Sequence, residues 1–133
     1  MSAESLPRLH ADCRALFDAA IEAAQPRRCV LDALSLDGSQ LRIGDWHYDL
    51  QQCSRLVVLG AGKATPAMAA AVEEVLGARI DAGLINTKYG HRLPLQHIET
   101  IECGHPVPDE RGVEGTQRQL ALLESLEDRK STR

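Results

Sequence analysis

Leu56-Val57-Val58-Leu59-Gly60-Ala61-Gly62-Lys63-Ala64 is the stretch that decides the fold. Four consecutive apolar residues predict a strand buried on both faces. Gly60-Ala61-Gly62 turns the chain. From Lys63 to Leu76 the sequence is alanine-rich, with Met68, Ala71, Val72 and Val75 on one helical face and Gly77 as its stop.

Downstream, Gly83-Leu84-Ile85-Asn86-Thr87 reads as a second short strand and Ile98-Glu99-Thr100-Ile101-Glu102 as a third. The loop Gly104-His105-Pro106-Val107-Pro108-Asp109 follows, and Asp109 is placed to cap a helix striped with Val113, Leu120 and Leu123. Upstream, Leu9, Cys13, Leu16, Phe17, Ala20, Ile21 and Ala24 keep helical spacing up to Pro26, and Val30, Leu31 and Leu34 extend an apolar face through a second, shorter helix that Asp37-Gly38 breaks. Leu41-Arg42-Ile43 and Trp46-His47-Tyr48-Asp49-Leu50 alternate around Gly44-Asp45, which suggests a small β-hairpin. The order strand, helix, strand, strand, helix predicts an α/β, Rossmann-like fold: a mostly parallel sheet with helices on both faces, preceded by N-terminal helices and the hairpin. The expected division is a helical leader over 1–36 and a βαββα core over 55–126. Asp128 to Arg133 look frayed.

The chain has 133 residues, the size of one ordinary domain, with 44% hydrophobic and 26% charged residues. Aromatics are 3%, so the core must be aliphatic. A net charge of -4 offers no basic excess for nucleic acid or anionic lipid. No apolar run approaches the roughly 18 residues of a membrane span. Met1 to Pro7 carries Glu4 and no apolar core of a signal peptide, so the expected compartment is the cytoplasm. The four cysteines, Cys13, Cys29, Cys53 and Cys103, form no C-x-x-C pair and read as reduced, partly buried thiols. No metal cluster, paired carboxylates or Ser-His-Asp order can be argued from the residues.

The chemistry concentrates at Lys63. Two glycines let the backbone approach a ligand, and the following helix offers free N–H groups and the positive end of its dipole. A lysine there opposes the dipole, which an anionic ligand would explain. On these residues alone two readings stand, an anion site and a strand-to-helix turn that binds nothing. Walker A is excluded by Val57 and Ala64, and the third Rossmann glycine is replaced by Thr65. Lys88, Tyr89 and His91 follow a strand end, where α/β ligands sit, and His105 lies in a rigid loop; each could equally be a solvated loop side chain.

Three segments together resemble the N-terminal domain of the glycerate 2-kinase family, whose members are often labelled hydroxypyruvate reductase. They are Val57 to Ala64 with Met68-Ala69, Gly83 to His91, and Glu102 to Gly112. The likeness runs from about Leu9 to Leu126. It implies phosphoryl transfer from ATP, with Mg²⁺, to the 2-hydroxyl of D-glycerate, in a two-domain enzyme with its site between the domains. It further implies that Lys63 is catalytic and that Gly60, Gly62, Lys88 and His105 bind substrate or phosphate. After Leu126 a family member would continue into another apolar strand and a Ser/Gly-rich loop. Here the sequence reads Glu127-Asp128-Arg129-Lys130-Ser131-Thr132-Arg133. The expectation is therefore an incomplete domain without the second domain, inactive alone and open to self-association through uncovered surfaces. The rival readings are an NAD(P)-dependent hydroxypyruvate reductase, weakened by Asn86-Thr87-Lys88 where an acidic ribose ligand would stand, and a non-catalytic anion-binding α/β module.

Overall fold

The computed structural model describes residues 5–127, so the expectation of frayed residues at Asp128 to Arg133 lies outside the described residues. Helices α1 (Ser5–Ala23) and α2 (Pro26–Ala33) lead into strands β1 (Leu34–Asp37), β2 (Gln40–Ile43) and β3 (Trp46–Asp49). The α/β unit follows: β4 (Val57–Ala61), α3 (Thr65–Leu76), β5 (Ala82–Lys88), β6 (Glu99–Cys103) and α4 (Glu110–Glu127). Its sheet has the order β4-β5-β6, and both pairings are parallel.

Helices cover both faces of this sheet, and the side-chain alternation of β5 assigns them. Ile85 joins the apolar core that includes Ala69 and Leu76 of α3. Asn86, its neighbour, points the opposite way and lies against Gly115 of α4. The core is aliphatic, with Leu84, Ile85, Ile98 and Ile101 all below 6% exposure.

Several sequence expectations change. The second helix ends at Ala33, because Leu34–Asp37 pairs antiparallel with β2, from Leu34 opposite Ile43 to Asp37 opposite Gln40. Asp37 thus ends a strand and Gly38-Ser39 make the turn to the next, with Gly38 at φ 59, and the expected hairpin is a three-stranded meander. The Val57–Leu59 run is only half-buried, because β4 is an edge of the three-stranded sheet. The stripe of α4 differs too. Val113, Leu120 and Leu123 are exposed, whereas Gly112, Gly115, Gln119, Leu122 and Leu126 are the buried or half-buried residues at helical spacing. Small residues win the inward face because they let α4 approach β5 closely. Cys13, Cys29 and Cys53 are exposed free thiols, and only Cys103 is partly buried. Among the described residues, no helix is long and apolar enough to cross a membrane.

Candidate functional site

The C-terminal ends of β4, β5 and β6 open onto a cleft of about 440 Å³. Lys63, Lys88 and His105 line it, together with the polar uncharged side chains of Asn86, Thr87, Thr116 and Gln117. Ligands of open parallel sheets sit at this end of the strands. The four ion pairs among the described residues involve neither lysine.

The glycine turn is held by the neighbouring strand. Gly62 N–H donates to the Asn86 carbonyl at 3.0 Å, and Thr87 Oγ1 donates to the Gly62 carbonyl at 3.1 Å. Gly62 has φ 125, a conformation L side chains rarely adopt. Helix α3 starts at Thr65, with Thr65 N–H donating to Gly62 O at 3.2 Å, so Lys63 stands in the turn rather than on the helix's first turn. Gly60 does not line the cleft. A Cβ there would lie 2.7 Å from Thr65 Cγ2, so Gly60 lets the start of α3 close onto β4.

The opposite wall is the loop after β6. Asp109 caps α4, accepting from Gly112 N–H at 3.0 Å, as its position in the sequence suggests. The same carboxylate accepts from Tyr89 Oη at 2.8 Å. A bond from the Gly104 backbone, then that from Tyr89, holds the Asp109 carboxyl below its ordinary range. The hydrogen bond to Asp109 pushes the Tyr89 hydroxyl up. Gly104 has no room for a side chain, since a Cβ would run into the Val107 carbonyl and lie 3.1 Å from Asp109 Cγ.

Of the five site residues suggested by the sequence, Gly62, Lys63, Lys88 and His105 meet at this cleft and Gly60 stands behind it. Sequence reasoning missed Asn86 and Thr87, polar residues inside an otherwise apolar strand, both below 7% exposure. It also missed Thr116, one turn after Gly112, whose hydroxyl donates to the Gly112 carbonyl at 2.9 Å. Mg²⁺ calls for hard oxygen ligands, usually carboxylates. None of the lining residues is Asp or Glu, so the donor set does not fit Mg²⁺. No group of three His, Cys, Asp or Glu among the described residues could hold a metal ion.

Residues 12–132 match a family described as a domain of unknown function, DUF4147. A glycerate 2-kinase of Pyrococcus horikoshii is 34% identical over 108 residues, covering 81% of this chain and 24% of that protein. A D-glycerate 2-kinase of Thermotoga maritima is 44% identical over 75 residues, 56% of this chain and 18% of the relative. The crystal structure of a Thermotoga maritima glycerate kinase superposes with TM-score 0.65 at 35% identity, over 90% of this chain and 25% of that one. The chain spans about a quarter of the length of the first curated relatives it matches.

Proposed function

The chain belongs to the DUF4147 family, whose relatives include glycerate kinases, and we propose that it supplies the lysine-bearing part of a site that transfers a phosphoryl group from ATP to the 2-hydroxyl of D-glycerate. The observation that carries this is the convergence of Lys63, Lys88 and His105 on one cleft at the C-terminal ends of three parallel strands. An anionic ligand matches such a cleft. In the reaction the glycerate hydroxyl oxygen bonds to the γ-phosphorus, the bond from that phosphorus to the β–γ bridging oxygen breaks, and ADP leaves with the electron pair. The hydroxyl proton is released to a base. The demand on the protein is charge stabilisation and positioning. Lys63 lies where its ammonium can hold anionic oxygens, with the rigid Gly62 turn fixing its backbone. His105, on the facing wall, is suited to bond a substrate hydroxyl. No step is assigned to Mg²⁺.

In the domain division we propose, residues 55–126 are the βαββα core of the N-terminal domain of such an enzyme, with 1–36 as its leader. The test is a chimera in which this chain replaces the matching segment of the Thermotoga maritima D-glycerate 2-kinase. Turnover to 2-phosphoglycerate is expected, and Lys63→Ala should lower kcat at least about a hundredfold with the melting temperature unchanged. Full kcat in that variant would remove Lys63 from the mechanism. The 133-residue polypeptide alone is expected to form no 2-phosphoglycerate, and measurable ATP-dependent product from it would show that it needs nothing further.

A further inference from the structure

Tyr89 and Asp109 lie just outside the cleft, and neither is among the residues that line it. They are nonetheless tied to each other and to three elements. Tyr89 directly follows β5, and its N–H donates to the Cys103 carbonyl at the end of β6 at 3.3 Å. Its hydroxyl donates to Asp109 Oδ2 at 2.8 Å, while Asp109 Oδ1 holds Gly112 N–H of α4. Gly104 lies directly against that carboxylate, since a Cβ on it would fall 3.1 Å from Asp109 Cγ and 3.2 Å from Oδ2. The two ends of the loop, Gly104 and Asp109, therefore meet at one carboxylate, and His105 is the residue next to that contact. Pro106 and Pro108 leave the loop few ways to move independently of its ends.

From this geometry we infer that Tyr89 is a positioning residue for the cleft: through Asp109 it holds the Gly104–Asp109 loop so that His105 faces the bound anion. This rests on the anion-binding reading above and deepens it. Asp109 without Tyr89 remains a helix cap, so α4 keeps its start. What is lost is the tether between the end of β5, which carries Lys88, and the wall that carries His105. The two sides of the cleft then open relative to each other without the fold coming apart. Tyr89 is 47% exposed and makes no core contact, so its hydroxyl can be removed without leaving a cavity.

The experiment uses Tyr89→Phe, His105→Ala and the double variant in the 133-residue chain, with inorganic phosphate as the probe. Amide hydrogen exchange at Gly104 should accelerate about tenfold in Tyr89→Phe, as expected for losing a hydrogen bond to a charged group, with exchange in β5 unchanged. Phosphate affinity, followed by NMR titration, should fall severalfold in Tyr89→Phe, but no further when His105 is already alanine. Unchanged exchange at Gly104 overturns the inference. An equal affinity loss in both backgrounds also overturns it, since Tyr89 would then act on the fold and not through His105. If the wild-type chain binds no phosphate, the anion-binding reading fails, and the exchange data still decide whether the tether exists.

Discussion

Gly115→Ala should destabilise this protein, although replacing a glycine inside a helix ordinarily stabilises by about 1 kcal/mol. Gly115 is buried in the middle of α4, over the central strand β5. A Cβ there would lie 2.7 Å from Asn86 Cγ and 2.8 Å from Asn86 Nδ2, and closer still to Oδ1. Asn86 has nowhere to retreat. It is 6% exposed, and its Nδ2 donates to the Gly112 carbonyl and Thr116 Oγ1, both at 3.4 Å. Either α4 lifts or Asn86 breaks those bonds. Overpacking of this kind costs about 1–3 kcal/mol, and two weak hydrogen bonds at about 1 kcal/mol each are at risk. Set against the helix gain, the net is a loss of roughly 2–4 kcal/mol, or a melting temperature lower by roughly 8–16 °C. The assay is urea and thermal unfolding followed by circular dichroism, with Gly112→Ala as control. A Cβ at Gly112 meets nothing closer than 3.6 Å, so that variant should be as stable as wild type or more stable by up to about 1 kcal/mol. A Gly115→Ala protein as stable as wild type would refute the close packing of α4 on β5.

Glu73 of α3 accepts from the backbone N–H groups of Gln96, His97 and Ile98 at 2.7–3.1 Å, so Glu73→Ala should cost about 2 kcal/mol in urea unfolding by leaving those donors unpaired; a change below about 0.5 kcal/mol would show that water replaces the carboxylate. Asp109 should contribute to the acid limb of stability. Its carboxyl is held below the ordinary aspartate range in the folded chain, so its contribution is present above that range and is lost as pH falls through the depressed value. Asp109→Asn should flatten the stability-versus-pH curve below about pH 4, and an unaltered acid limb would rule the residue out as its source.

Much of the architecture was legible because it rests on local patterns. Gly77 ends α3 with φ 49, and Asp109 caps α4, as their residue types suggest. The errors arose where partners distant in sequence decide. Leu34 and Leu36 fit a helix or a strand, and only pairing with Ile43 and Leu41 of β2 selects the strand. In α4 the apolar count favoured Val113, Leu120 and Leu123, but close approach to β5 rewards the glycine at 115 instead. The cleft was half legible. Glycine and lysine announced the β4–α3 turn, while the use of Tyr89 depends on Asp109, twenty residues on, and no spacing rule connects them.

The Gly62 turn has a consequence for the order of folding. Both its amide and its carbonyl are held by β5, from residues 24 and 25 positions further along the chain. A nascent chain that has emerged only as far as Leu76 holds the glycines and Lys63 but none of the groups that hold the turn. Closing that long loop comes before the turn is shaped, and it carries an entropic cost that local helix formation does not. The cleft is thus a late product of folding, and a peptide covering β4 and α3 alone should not acquire it.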